Sequence, residues 1–270
     1  MDGRMGANIN GPSLIRVPDW IEQPLGRYYL YFGHHRGTYI RLAYADQLEG
    51  PWRTLEAGVL DLADSFCHGH LASPDVHVDH QQRQIRLYYH GPQPGRGQVT
   101  RLALSADGLS FVARPEILGV SYFRVFQWQG WHYAMGMPGI LYRSADGLGS
   151  FVEGPTLFSA NMRHCALKLT GDQLQVFYSN AGDCPERILV AGIDLAGDWT
   201  AWREGASVSV LEPETEYEGA SLPLEPSSRG PINEPVRQLR DPGVFCEAGQ
   251  TYLLYAVAGE QGLALARLRG

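Results

Sequence analysis

The chain has 270 residues, of which 44% are hydrophobic and 19% charged, and its formal net charge is −7. A chain this apolar is not disordered, and its negative charge argues against a surface for nucleic acid or anionic membranes. The 32 glycines and 17 prolines disfavour a helical bundle, because both residues interrupt helices. No run of 18 apolar residues occurs, so no membrane-spanning helix is predicted.

The N-terminal sequence MDGRMGANINGPS lacks the apolar segment of a secretory signal. The four cysteines form no CxxC pair and have no zinc-ligand spacing, so we expect reduced thiols. These two features predict a cytoplasmic protein.

Apolar and aromatic runs alternate with Gly, Asp and Pro along the chain, with the period near two that is typical of strands. One pattern recurs, in which an apolar run, an aromatic run and a second apolar run are separated by a polar turn and a polar loop. In the first copy the three runs are PSLIRV, RYYLYF and TYIRLAYAD. The five copies span residues 12–46, 73–108, 122–147, 164–195 and 241–268.

Five copies in 270 residues predict an all-β, five-bladed β-propeller that forms a single domain. A β-sandwich or solenoid of similar strand count is the alternative. The fifth copy has only three strands, so we expect the segment before Pro12 to supply the missing outer strand or otherwise cover that edge. The predicted blades cover roughly residues 11–60, 73–116, 122–158, 164–211 and 240–270.

A propeller brings the loops between second and third strands and the beginnings of the inner strands together around its axis at one face. Loops on a rigid scaffold are the usual place for a site. Six of the nine histidines belong to this face: His34, His35, His68, His70, His90 and His164. Its other polar candidates are Asp75, Tyr122, Arg124, Arg163, Asn180, Arg240, Asp241 and Glu260.

The crossing segment 203–240 is longer than most loops of compact domains, which points to a functional loop or a solvated one. It contains four acidic or basic candidates, namely Glu216, Glu218, Glu234 and Arg237. We expect this segment to pack over the axial opening and to carry a carboxylate into the site.

The runs RYYLYFGHHRGTYIRLAYADQLEGPW, SPDVHVD and RDPGVFCEAGQTYLLYAVAGEQGLALARL resemble the five-bladed glycoside hydrolases, in particular family 43 and related furanosidase clans. The resemblance implies a propeller with an inner-strand Asp as base, a second Asp that tunes the acid and a Glu as general acid. Here Gly11 stands at the place of the base, and Arg124 and Arg163–His164 stand where acidic residues are typical. A divergent hydrolase with a displaced catalytic set, or a catalytically silent relative, are both compatible with this pattern.

Glycoside cleavage needs two carboxyl groups across the scissile bond. We predict Asp75 and Asp241 as the paired carboxylates and Glu218 as a general acid whose pKa is raised by desolvation. Arginines on an axial face would bind a carboxylate-bearing sugar or form structural ion pairs, and histidines would bind hydroxyls, transfer protons or ligate a metal. The predicted substrate-binding residues are His34, His35, His70, His90, Arg124, Arg163, His164, Glu216 and Arg240.

The leading functional hypothesis is a glycoside hydrolase for a small oligosaccharide or glycoside, with a furanoside or a uronic-acid unit as the candidate sugars. It needs no cofactor, and its partner is a small carbohydrate rather than nucleic acid or membrane. The alternatives are a carbohydrate-binding propeller without catalysis and a metal-assisted hydrolase or lyase of another bond, with the metal on the axis.

Overall fold

The computed structural model describes residue 4, residue 6 and residues 8–269. It forms a ring of five antiparallel sheets, one for each copy of the repeat, which confirms the predicted five-bladed β-propeller. In each blade the strands run in chain order from the axis outward.

The strands and short 3-10 helices have the following bounds. Blade one contains β1 (Asn10–Arg16), β2 (Tyr28–Gly33), β3 (Tyr39–Ala45) and β4 (Arg53–Asp61). Blade two contains β5 (Ala72–Asp79), β6 (Gln84–Gln93), β7 (Gly97–Ser105), β8 (Val112–Ala113) and the extra strand β9 (Gly119–Val120). Blade three contains β10 (Arg124–Trp128), β11 (Trp131–Gly136), β12 (Ile140–Ser144) and β13 (Val152–Thr156). Blade four contains β14 (Met162–Thr170), β15 (Gln173–Asn180), β16 (Ile188–Asp194) and β17 (Val208–Leu211). Blade five contains β18 (Arg240–Glu247), β19 (Gln250–Val257) and β20 (Gly262–Leu268). The 3-10 helices are Leu62–Asp64, Trp199–Ala201 and Glu216–Glu218. Over the residues described, no helix is both long and apolar enough to cross a membrane.

Apolar side chains fill the spaces between neighbouring blades, and each of the five interfaces has its own cluster. Between blades one and two the cluster contains Tyr29, Tyr31 and Leu87, and between blades three and four it contains Tyr133 and Trp202. Strands buried on both faces need apolar residues at successive positions, which explains the aromatic second strand of each repeat.

Blades one and five close the ring by side-chain packing, since Leu14 and Phe32 of blade one share a cluster with Phe245 and Leu254 of blade five. Blade five is three-stranded, and no fourth strand pairs with β20 in the described part of the chain. The described N-terminal residues lie elsewhere: the amide of Ile9 donates to the carbonyl of Glu260 at 2.9 Å. The rest of the segment that we expected to cover this edge (1–3, 5 and 7) lies outside the described residues.

Each inner strand except β10 carries a shift of register near its beginning, as between Ala72 and Asp75 in β5 and between Arg240 and Gly243 in β18. Within these two shifts, Ser73 has φ +45° and Asp241 has φ +49°. Ser73 and Asp241 are therefore equivalent positions, and Asp75 is equivalent to Gly243. This two-residue offset determines which carboxylates can meet.

Candidate active site

A cavity of about 320 Å³ lies around the axis where the inner strands begin, a size at the lower end of small-molecule pockets. It is lined by His35, Arg36, His70, Ala72, His90, Gln98, Tyr122, Met137, Arg163, His164, Arg229, Gly230 and Pro231. The wall thus carries four imidazoles and three guanidinium groups, and no carboxylate among the residues described. We call this space the axial cavity.

His164 and Asp241 form an imidazole–carboxylate pair at the beginnings of β14 and β18. Nδ1 of His164 contacts Oδ1 of Asp241, and the two side chains are only 3% and 1% exposed. A carboxylate at Nδ1 fixes the ring and leaves Nε2 as the free nitrogen. Burial, followed by the charge of Arg163, lowers the pKa of His164 well below its ordinary value, so the ring is neutral at neutral pH.

The ring of Tyr122 lies between two of these imidazoles. Its centroid is 4.0 Å from that of His90 and 4.3 Å from that of His164. Burial raises the pKa of the Tyr122 hydroxyl and lowers that of His90 well below its usual value, so both groups are uncharged. Neither ring nitrogen of His90 has a hydrogen-bond partner within the described chain, although the residue is only 1% exposed.

A second imidazole–carboxylate pair joins blades one and five, and it belongs to a buried chain of charges. Nδ1 of His35 lies 2.7 Å from Oε2 of Glu260, and Oε1 of Glu260 lies 3.3 Å from Nη1 of Arg240. Nε of Arg240 is 3.1 Å from Oε2 of Glu186, which Nη1 of Arg163 also contacts at 3.1 Å. Each charge in the chain has a partner of opposite sign, as burial requires.

The long segment before β18 reaches the axial cavity through Arg229, Gly230 and Pro231. The expected position over the axial opening is thus observed, but the segment brings a guanidinium group to the cavity wall instead of a carboxylate. Carbonyl oxygens at Ser228 and Gly230 accept from the buried Arg240, at 3.3 and 3.2 Å. These bonds hold the segment against the ring.

Asp75 does not lie in the axial cavity, which corrects its predicted pairing with Asp241. Its carboxylate accepts from Nε2 of His77 at 2.7 Å and from the amide of Val125 at 2.8 Å, and it lines a second cavity further along the axis. Arg124 lines that second cavity too, and its Nε donates to the carbonyl of Cys165 at 2.9 Å. The physical reason is the two-residue offset described above, which places Asp75 one layer deeper than Asp241.

Glu218 is also absent from the axial cavity, which corrects its role as general acid. Its carboxylate accepts from the amides of Glu214 and Thr215, at 3.0 and 2.9 Å, and from the hydroxyl of Tyr255 at 2.8 Å. Burial opposes ionisation of Glu218, but these bonds outweigh it and hold its pKa below the ordinary value. Such a carboxylate stabilises the turn of its own 3-10 helix. Glu216 on the same helix is exposed and does not line the cavity.

The remaining predicted binding residues divide between cavity and interior. His35, His70, His90, Arg163 and His164 line the axial cavity. His34 is buried close to Gly6 and Gly37 instead, where burial, followed by the charge of Arg41, lowers its pKa to about 4. Arg240 is fully buried in the chain of charges and forms structural ion pairs.

Three residues that matter for the site are missing from the predicted catalytic and substrate-binding residues. Glu186 follows the second strand of blade four and has no exposed surface. Its position in a loop between second and third strands could have identified it from the sequence as a residue of the axial face. Arg229 lies in the long segment before β18, and no sequence pattern predicts the path of this segment over the ring of blades. Tyr122 belongs to the predicted face, but its place between two imidazoles depends on packing across blades.

The alternative of an axial metal site finds no counterpart in the described part of the chain, where no group of three or more His, Cys, Asp or Glu side chains is arranged to hold an ion.

No family model matches the sequence. An uncharacterized protein of Acanthamoeba polyphaga mimivirus is 36% identical over 297 aligned residues, which cover 97% of this chain and 83% of the viral protein. The chain belongs to the family of that viral protein. This relationship covers nearly the whole propeller and assigns no activity to it.

Solved structures of family 43 glycoside hydrolases share the fold across almost the entire chain. A β-xylosidase/α-arabinofuranosidase from a compost microbial metagenome, in complex with xylotriose, has a TM-score of 0.67 at 14% identity and covers 97% of this chain and 91% of its own. An α-L-arabinanase of Cellvibrio cellulosa, complexed with arabinohexaose, has a TM-score of 0.65 at 13% identity, with 97% and 92% covered. The fold that the sequence resembles is therefore the one that it adopts.

Proposed function

We propose that the protein is a glycoside hydrolase that cleaves a small saccharide in the axial cavity, in the cytoplasm and without a cofactor. The observation that carries the proposal is the His164–Asp241 pair, whose imidazole lines the cavity at the centre of a propeller. Two proteins of the same fold are named as complexes with oligosaccharides, which supports a carbohydrate as the ligand. No carboxylate lines the cavity among the residues described. We therefore assign to imidazoles that contact carboxylates the roles that a pair of carboxyl groups has in most glycoside hydrolases.

His164 acts as the base in this proposal. Asp241 contacts Nδ1 of His164. In the proposed tautomer Nδ1 carries the hydrogen, and Nε2 accepts a proton from water as the water oxygen bonds to the anomeric carbon. Asp241 does not touch the substrate and is a positioning residue. Its carboxylate holds the productive tautomer of His164 and stabilises the imidazolium that forms.

His35 donates the proton that the leaving oxygen needs when the glycosidic bond breaks. Glu260 lies 2.7 Å from its Nδ1 and orients the ring, and Asn10 contacts the same nitrogen at 2.9 Å. The step starts with His164 neutral and His35 as the imidazolium. One proton moves from water to His164 and one from His35 to the leaving group, after which His164 releases a proton to solvent and His35 takes one up.

A panel of aryl glycosides and short oligosaccharides, including furanosides and uronides, tests the proposal. For the accepted substrate, His164→Gln should lower kcat roughly 100-fold to 10,000-fold, the usual contribution of a positioned acid or base. His80→Gln, at an exposed histidine on the opposite turns, is the matched control and should keep the wild-type kcat. Full activity of His164→Gln would contradict the assigned role.

A carbohydrate-binding protein without turnover is the second candidate, favoured by the same lack of a lining carboxylate in the described cavity wall. It predicts that a saccharide raises the Tm while long incubation with the whole panel releases no product. Turnover of any member that His164→Gln abolishes would exclude this candidate.

A further inference from the structure

The charges around the axial cavity do not balance at its wall. Arg163 and Arg240 bring two positive charges and Glu186 and Glu260 bring two negative charges, so these four residues balance one another. Asp241 adds one negative charge behind His164, and Arg36 on the cavity wall adds one positive charge. The guanidinium group of Arg229 is additional. No carboxylate in the described part of the chain forms an ion pair with it, and its contacts are neutral acceptors: Sδ of Met137 at 3.7 Å, the carbonyl of Met162 at 3.5 Å and that of Ala160.

The backbone that carries Arg229 is fixed. Ser227 donates its amide to the carbonyl of Asp183 at 2.9 Å, and its hydroxyl accepts from the amide of Gly182 at 3.0 Å. The carbonyl of Gly230 accepts a hydrogen bond from Nη1 of the buried Arg240 at 3.2 Å. A cation on a fixed backbone segment is pre-organised, which lowers the entropy lost when a ligand binds.

Deeper in the same cavity, His90 offers two buried ring nitrogens without a partner in the described chain. A buried polar group without a hydrogen bond is destabilising, and a ligand that supplies the bond is correspondingly favoured. The cavity therefore combines a cation without an acidic partner in the described chain, at its rim, with the unsatisfied and uncharged ring nitrogens of His90 inside.

We propose that the axial cavity selects a saccharide unit that bears an anionic group, a carboxylate or a phosphate, with Arg229 bound to the anion and His90 bound to a ring hydroxyl. This inference rests on the proposed function for its saccharide, and it adds the substrate class. A guanidinium group binds a carboxylate or a phosphate through two parallel hydrogen bonds, which neutral sugars cannot match.

Titration calorimetry with the full chain tests the inference directly. The ligands are glucuronate and galacturonate, glucose 6-phosphate and galactose 6-phosphate, and the neutral sugars glucose, galactose and xylose. The protein variants are Arg229→Gln and the matched control Arg53→Gln, an exposed arginine on the outer strand of blade one. Urea unfolding of each variant checks that it is folded.

We expect one anionic class to bind roughly 10-fold to 100-fold tighter than its neutral counterpart, and Arg229→Gln to remove that difference, because a hydrogen bond to a charged group contributes on this scale. Preference for uronates identifies a carboxylate, and preference for sugar phosphates identifies a phosphate. Equal binding of neutral and anionic sugars would overturn the inference, as would an anionic preference that Arg229→Gln leaves intact.

The two proposals fail in different ways. Turnover of neutral glycosides without any anionic preference would retain the hydrolase and reject the anion site. Tight, Arg229-dependent binding of an anionic sugar with no turnover of any glycoside would retain the anion site and reject the hydrolase.

Discussion

Burial decides the protonation of three histidines of the predicted face. Burial lowers the pKa of His34, His90 and His164, and the neighbouring cations Arg41, Arg124 and Arg163 act in the same direction. The sequence places these residues on one face from their loop positions, and this was correct for His90 and His164. Packing between loops decides whether each imidazole ring lies at the cavity or in the interior, and the local sequence does not predict this packing.

His34 should make the protein sensitive to acid. Its pKa is about 4 in the folded chain and about 6.5 when unfolded, so the unfolded state binds a proton first and the free energy of unfolding falls as the pH drops below 6.5. Between pH 7.5 and 5.0 this group alone should remove about 2 kcal/mol. Urea titrations at both pH values should show a loss smaller by that amount in His34→Gln. The exposed control His80→Gln should lose as much as the wild type, and an identical loss in His34→Gln would refute the assignment.

At the scale of elements, the irregular beginnings of the inner strands control the site. The sequence predicts the inner strands, because their apolar runs are regular. It does not predict the register shift between Ala72 and Asp75, which arises where Ser73 takes a positive φ. Each of the two inner strands has an Asp next to a Pro, Pro74–Asp75 in β5 and Asp241–Pro242 in β18, so the sequence suggests that the two Asp residues are equivalent. The strand register shows instead that they lie two positions apart.

Asp75 should therefore contribute to stability. It accepts hydrogen bonds from Val125 and His77, and although burial opposes its ionisation, His77, Arg124 and these bonds hold its pKa below the ordinary value. Asp75→Asn should lower the free energy of unfolding by about 1.5–3 kcal/mol, the contribution of hydrogen bonds to a charged group. Urea unfolding at pH 7.5 measures this. An unchanged midpoint would show that the carboxylate is not needed there.

At the scale of the whole molecule, the repeat predicts the number of blades because most contacts of a blade are internal or with the next blade. It does not predict how the ring closes. Closure depends on Leu14, Phe32, Phe245 and Leu254, which are distant in sequence and share one cluster. The composition of an aromatic run does not indicate which of the five interfaces between blades its side chains occupy.

Loss of an apolar group at the closing interface should therefore destabilise the entire ring. Phe245 is buried, and its ring contacts that of Tyr28 edge to face, with centroids 6.0 Å apart. Phe245→Ala should lower the free energy of unfolding by about 3–5 kcal/mol in a single cooperative transition. Val152, at 61% exposure, supplies the control Val152→Ala, with an effect within about 0.5 kcal/mol. A comparably small effect of Phe245→Ala would show that another contact closes the ring.

We propose that the His164–Asp241 pair performs the chemistry and that Asp75 does not. The most direct test is the steady-state kinetics of Asp241→Asn and Asp75→Asn, both verified as folded, on one accepted glycoside. For Asp241→Asn we expect kcat to fall about 100-fold or more with little change in KM, because the residue acts only through His164. For Asp75→Asn we expect the wild-type kcat. Retained kcat in Asp241→Asn, or a loss of kcat in Asp75→Asn, would show that the roles of the two carboxylates are assigned wrongly.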